Sequence, residues 1–215
     1  MITAVVPLKA LAHAKGRMAG YLDQTARREL VVWMLDRVLE ACLGAAAVGR
    51  VVVVAGDAHA AAEAARPGVE VLVEPKPGLT AALALGDRAT AGAEATLVVP
   101  ADLPLATAAD IDAVCAAGAR APSVAVVTTH DGGTGALLRR PSGVIGIVFG
   151  WRDSGLAHLR LAAAAGACPV RLDLPNLALD VDTPDDLRAL DGRLPRRATT
   201  RSRRAGLMPQ STMST

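Results

Sequence analysis

The chain has 215 residues, ample for one domain with a full hydrophobic core. Hydrophobic residues make up 52% of it and aromatic ones only 2%, so that core must be built from Val, Leu, Ile and Ala; a mean hydropathy of +0.34 excludes a disordered chain. The net charge of +2 rests on five arginines beyond Leu194 (Arg196, Arg197, Arg201, Arg203 and Arg204), without which 18 basic face 21 acidic side chains, so a nucleic-acid partner would rest wholly on that tail.

In chain order, short β-branched runs alternate with helical patterns, which predicts α/β layering. Ile2–Pro7 reads as a first strand. A helix over Thr25–Leu43 follows, with Leu30, Met34, Val38 and Cys42 at four-residue steps on one apolar face. Arg50–Ala55 reads as a fully buried strand, Ala58–Ala65 as a helix and Val69–Glu74 as a third strand. After the Pro75–Gly78 loop come a helix over Leu79–Ala91 and a strand over Ala95–Val99 that runs into Pro100–Leu105. Thr107 and Asp110 have capping-box spacing and open a helix to Gly118. Further strands are expected at Ser123–Thr128, Gly135–Arg139 and Val144–Val148, then a helix over Gly155–Gly166 and a strand over Pro169–Leu172. The last helix, Thr183–Leu190, carries Pro184 at its first position. The economical architecture is one α/β domain of three layers over residues 1–194, followed by an Arg-rich tail, 195–215, with no periodic apolar face and the composition of a disordered terminus.

Most chemistry that announces itself in sequence is missing. There is no G-x-x-x-x-G-K-[ST] phosphate loop and no G-x-G-x-x-G after the first strand, and Ser154 lies in Arg-Asp-Ser-Gly rather than in a nucleophile elbow. The histidines (His13, His59, His130, His158) share no ligand spacing. Cys42, Cys115 and Cys168 likewise show no metal spacing and read as reduced, small core residues of a cytoplasmic protein. No charge-free apolar stretch approaches the ~18 residues of a membrane span, and Met1–Leu8 lacks the basic head of a secretory signal.

Four segments remain. Pro7–Arg17 places Lys9, Lys15 and Arg17 at the carboxyl end of a buried strand, where ligands sit in open α/β sheets and where a triphosphate would need cations; a solvated basic loop is the plain alternative. Val98–Leu105 runs apolar strand residues into Asp102 between prolines, a position suited to a metal-binding carboxylate or to a turn. In Leu177–Pro184 extended chain would point Asp180 and Asp182 the same way. Two carboxylates ~4 Å apart repel by ~1 kcal/mol even in water, so a cation or hydrogen bonds must offset them. Thr183 with Asp186 makes a capping pattern, and Asp185 and Asp186 suit the first turn of a helix. Finally, Asp131–Leu138 offers glycines that let backbone amides approach an anion, with the Thr134 hydroxyl beside them. Phe149–Ser154 repeats the style, and Ser154 reads either as an anion contact or as an ordinary N-cap.

Taken together and in order, VPLKALAHAKGRM, ARRELVVWMLDRVLEA, GLTAALALG, VVPADLPL, DGGTGALL, FGWRDSGLAHL and LALDVDTPDDL resemble the guanylyltransferases of coenzyme F-420 biosynthesis, the CofC/FbiD family, from Met1 to about Leu190. The resemblance implies a three-layer α/β/α sandwich of the Rossmann-like, GT-A-like nucleotidyltransferase type with a mostly parallel central sheet. It also implies transfer of GMP from GTP to phosphoenolpyruvate, 2-phospho-L-lactate or 3-phospho-D-glycerate. By the same resemblance Asp102, Asp180 and Asp182 would hold Mg²⁺, and Thr134, Gly150 and Ser154 would bind the acceptor. Lys9, Lys15 and Arg17 would meet the triphosphate, with Gly78 also at the nucleotide. The partners it implies are these two substrates and the next transferase of the pathway, with no membrane or nucleic acid; a homodimer is compatible with it. Thr80 and Gly135 stand where the family usually has Asn, and the Gly150–Ser154 turn is one residue longer than usual, departures that bear on the acceptor rather than on the metal aspartates. Related transferases acting on molybdopterin or a sugar alcohol phosphate usually open with a glycine-rich L-x-G-G loop that Val6–Lys9 lacks. A non-catalytic nucleotide-binding module is the alternative of a different class.

Overall fold

A computed structural model describes residues 1–11, 15–75 and 78–191. The tail expected beyond residue 194 lies outside the described residues, as do His13 and the middle of the Pro75–Gly78 loop.

Seven strands, β1 (Ile2–Leu8), β2 (Val48–Ala55), β3 (Val69–Val73), β4 (Ala95–Val98), β5 (Ser123–Thr128), β6 (Thr134–Arg140) and β7 (Cys168–Leu172), form one sheet in the order β3-β2-β1-β4-β6-β5-β7. Every pairing is parallel except those of β6, which runs antiparallel to β4 and β5. Helices α1 (Gln24–Gly44), α2 (Ala58–Ala64), α3 (Leu79–Ala89), α4 (Ala108–Ala117), α5 (Ser154–Ala164) and α6 (Pro184–Asp191) follow. The sheet's two faces carry two cores: α1, α2, α4 and α6 contribute to one, α3 and α5 to the other. The near-continuous Val run of β2 is what a strand buried on both faces requires, and Val51–Ala55 are all buried. The stripe Leu30, Met34, Val38 and Cys42 on α1 is wholly buried against the first face.

Local sequence sets the helix starts. The Asp23 and Asp57 carboxylates accept from Ala26 N and Ala60 N at 2.8 and 2.7 Å, and Thr107 with Asp110 forms a complete capping box. After β3, the chain crosses back over β1 to place β4 on its other side, so the strand order reverses between β1 and β4. A crevice therefore opens above the carboxyl ends of those two strands.

Three expectations are corrected. Val144–Val148 is not a strand. Val144, Ile145 and Ile147 pack on the sheet's second face, but the backbone finds a turn and side chains instead of a ladder: Val144 N–H donates to the Pro141 carbonyl at 3.1 Å, the Ile145 carbonyl accepts from Arg139 Nη1 at 3.0 Å, and Val148 N–H donates to His158 Nε2 at 3.0 Å. Cys168 is exposed at the start of edge strand β7, whereas Cys42 and Cys115 are buried, their thiols pushed up to about 12 and about 11 mainly by burial. Ser154 is not an N-cap; Asp153 holds that place in a left-handed conformation, and Ser154 is the first residue of α5.

Gly135 has a steric reason. A Cβ built there would lie 1.8 Å from the Leu177 carbonyl oxygen, so the 177–182 segment is seated directly on the β6 backbone. Gly135→Ala is expected to push that segment away and to destabilise the protein by about 1–3 kcal/mol, as overpacking does, read as a lower denaturant midpoint.

Burial, followed by the Arg139 charge, lowers the pKa of fully buried His158 from 6.5 to about 4. The neutral ring therefore contributes stability in full above about pH 6.5, and the contribution is lost as pH falls toward 4, on the order of 3 kcal/mol. Asp180 is raised to about 7 and works in the opposite sense, losing stability as pH rises through that value. The His158 contribution is thus isolated by difference: between pH 7 and pH 4.5 wild type should lose more unfolding free energy than His158→Leu. Parallel curves would contradict it.

Candidate active site

The crevice above β1 and β4 is a cleft of about 520 Å³, within the range of small-molecule sites. Lys9, Lys15, Arg17, Asp102, Thr134, Gly150, Ser154, Asp180 and Asp182 all line it, so nine of the ten residues named from sequence come together. Gly78 does not line it. It caps α3 with φ +154° and donates its N–H to the Glu74 carboxylate, while the next residue, Leu79, faces the cleft.

One half of the cleft is charged. Lys15, held in the left-handed region at φ 51°, buries its side chain and donates from Nζ to Asp102 Oδ2 at 2.8 Å and to Asp182 Oδ1 at 2.6 Å. Burial works against the ammonium, but the two carboxylates outweigh it and raise its pKa. Burial likewise opposes the Asp182 carboxylate, and Lys15, with smaller help from Lys9 and Arg17, holds it below its usual value; Arg17 Nη1 lies 3.6 Å from Asp182 Oδ2. Among the described residues Asp180 has no such ion-pair partner. Burial first, then the charges of Asp102, Asp131 and Asp182, push it up to about 7.

This geometry is pinned from several sides. Val181 N–H donates to the Asp102 carbonyl at 3.2 Å, joining the two acidic segments, and His130 N–H donates to the Ala178 carbonyl at 3.2 Å. Asp186 accepts from Thr183 N and Oγ1 at 2.7 and 2.8 Å and from Asp182 N at 3.0 Å, which fixes the entry to α6. Asp186 is therefore a cap, as its spacing suggests.

The other half is built around neutral hydroxyls, with charged side chains only at its margin. Thr134 at the start of β6 and Ser154 at the start of α5 are both buried, with their hydroxyls 2.9 Å apart, and Thr134 Oγ1 lies 3.2 Å from His158 Nδ1. Gly150 takes φ +82°, which only glycine adopts without strain, and turns the chain so that Trp151, 76% exposed, and Arg152 stand at the rim. Asp131 also faces the cleft. It accepts from Thr129 Oγ1 at 2.5 Å and Gly133 N at 3.0 Å, bonds that hold it below its usual value against burial.

Asp131 and His158 are the contributors that sequence reasoning passed over. Asp131 was visible only as the head of the Asp-Gly-Gly turn. His158 carried a usable signal, since it stands four residues after Ser154 and so shares its helical face, but a search for metal-ligand spacing does not find it.

Among the described residues, no three His, Cys, Asp or Glu side chains form a ready-made metal cage. The donor set nevertheless suits a hard divalent ion: carboxylate oxygens, one of them (Asp180) destabilised by its like-charged neighbours, beside open space for phosphate oxygens and water. Among the described residues, no helix is long and apolar enough to cross a membrane.

Comparison with known proteins places the chain in a family. The chain is 39% identical over 195 residues to a phosphoenolpyruvate guanylyltransferase of Sphaerobacter thermophilus, covering 89% of this chain and 93% of that protein. It is 35% identical over 193 residues to a 3-phospho-D-glycerate guanylyltransferase of Phenylobacterium zucineum, covering 86% and 88%. Its fold matches a solved nucleotidyl transferase from Methanothermobacter with a TM-score of 0.60 at 18% identity, covering 94% of this chain and 99% of that one. The model of the CofC-like guanylyl transferases matches residues 2–191, and the chain belongs to that family of nucleotidyltransferases.

Proposed function

We propose that this protein transfers GMP from GTP to the phosphate of phosphoenolpyruvate, with release of pyrophosphate, as a cytoplasmic step of coenzyme F-420 biosynthesis carried by residues 1–194. The observation that carries the reading is the division of one cleft into an aspartate–lysine half and a hydroxyl half. The first half suits a metal-bound triphosphate and the second a small anionic acceptor.

In this reading Lys9 and Arg17, exposed at the rim, meet the triphosphate, and Gly78 lies near the nucleotide at the head of α3. Lys15 supplies a fixed positive charge between the triphosphate and the aspartates. Thr134, Gly150 and Ser154 hold the acceptor. Asp102, Asp180 and Asp182 would hold Mg²⁺, which when bound supplies neutralisation and a template for the phosphate oxygens. An acceptor phosphate oxygen attacks the α-phosphorus of GTP in line, the bond from that phosphorus to the bridging oxygen breaks, and pyrophosphate leaves with the electron pair. No protein nucleophile takes part. The residues supply position and charge, the means by which phosphoryl-type transfers are accelerated.

The test is pyrophosphate release from GTP and Mg²⁺ with phosphoenolpyruvate, 2-phospho-L-lactate and 3-phospho-D-glycerate offered separately, the next transferase being present to draw off the product. Release with phosphoenolpyruvate alone is expected; release with another acid would reassign the acceptor. No release with any acid, from protein that still binds GTP, would favour a non-catalytic module or a relative with a different acceptor. Asp102→Asn should lower turnover by about a hundredfold or more while the protein stays folded. Ser154→Ala should raise the KM of the acceptor and leave that of GTP nearly unchanged.

A further inference from the structure

His158 is wholly buried on α5, with the Phe149 ring tilted against it at 5.4 Å between centroids and the Arg139 guanidinium the charged group acting on it. Its two nitrogens have different partners. Nε2 lies 3.0 Å from the Val148 backbone nitrogen. A backbone N–H can only donate, so Nε2 must present its lone pair, and a neutral imidazole then carries its single proton on Nδ1. On that side stand Thr134 Oγ1, at 3.2 Å, and the Ser154 carbonyl one turn back, which can only accept.

The polarity propagates. With a proton on Nδ1, Thr134 cannot donate to the ring, which leaves Ser154 Oγ, 2.9 Å away, as the side-chain acceptor within reach of its hydroxyl proton. The Ser154 hydroxyl proton has no acceptor left within the chain of bonds, and the cleft lies beside it. Bonds arranged head to tail in this way polarise one another and strengthen the last donor.

We propose that His158 is a positioning residue that, by holding its proton on Nδ1, turns Thr134 and Ser154 into a one-way series of donors, so that Ser154 offers a hydrogen bond to an anionic oxygen of the acceptor. This rests on the acceptor assignment above. It also makes a statement about specificity: the hydroxyl half of the cleft takes a carboxylate or phosphate oxygen and disfavours a group that must itself donate there, such as an amide nitrogen.

Two experiments on the full chain test it. In ¹⁵N-histidine-labelled protein without substrate, two-bond nitrogen–proton correlations at neutral pH should show His158 as the Nδ1–H tautomer. An Nε2–H tautomer or an imidazolium would overturn the proposal whatever the kinetics. In steady-state assays His158→Leu should raise the acceptor KM about five- to tenfold, the loss expected for one well-placed hydrogen bond, with the GTP KM moved by less than about twofold. His158→Asn, which keeps an amide donor near the Nδ1 position, should recover most of that loss. Equal increases in both KM values, or a fall in kcat alone, would mean that His158 merely supports the fold and would overturn its positioning role. Failure of the acceptor assignment is recognised separately: Ser154→Ala would then leave the acceptor KM unchanged even with the Nδ1–H tautomer observed.

Discussion

The site is organised around the repulsion among four carboxylates at one edge of a sheet. Asp102 enters from the end of β4, Asp180 and Asp182 from the segment before α6, and Asp131 from the turn before β6, and Asp180 feels the charge of the other three. Such a gathering is unstable unless something opposes it. Lys15 does so for Asp102 and Asp182 from a buried position, and hydrogen bonds from Thr129 and Gly133 do so for Asp131. Among the described residues Asp180 has no cationic side chain paired with it, so a cation entering the cleft gains most from it. The same logic explains the left-handed backbone at Lys15, which brings a cation from the β1 loop to acids that follow it by 87 and 167 residues.

Repulsion of this kind would open the site if the acidic segments were loose. They are not, because the backbone carries the load. Leu177 presses its carbonyl against Gly135, Ala178 accepts from His130, and Val181 donates to Asp102. The Thr183–Asp186 capping box then fixes where the extended segment ends and α6 begins. Gly135 belongs to the same arrangement: it touches the Leu177 carbonyl with no room for a side chain.

Much of this was legible in the sequence. Periodicity found α1 and its buried stripe, and cap spacing found the starts of α4 and α6, because those signals depend on residues within a turn of each other. Val144–Val148 misled for the converse reason. Val144, Ile145 and Ile147 do pack on the sheet, yet whether a run becomes a strand depends on which partners its backbone finds, and here those partners include Arg139 and His158, supplied by other elements. Cys168 was misplaced because composition alone does not distinguish an exposed edge from the core. The aspartates were legible as chemistry, while the Lys15 pairing was not, since it joins segments far apart in the chain. His158 shows the limit most clearly: its neighbour at four-residue spacing was in view, but only the position of Val148 fixes which nitrogen can act as a donor.

In the proposed reading, with the acceptor in one half of the cleft and the triphosphate in the other, the contrast between the two has a chemical reason. An acceptor phosphate must be held as an anion and must still attack, and a direct contact with a lysine or arginine would draw electron density from the oxygen that has to become the nucleophile. Neutral hydroxyl donors orient an anion without placing a full positive charge against it, and so take less from its basicity. The triphosphate half faces the opposite demand, because negative charge grows on the departing pyrophosphate and cations stabilise it as it forms. In the proposed reading the Thr134–Ser154–His158 series stays neutral only while the His158 ring is uncharged at the pH of the reaction. Burial of His158 and the nearby Arg139 charge keep it so, and the same packing that lowers the pKa of the ring also leaves Nε2 free to accept from Val148.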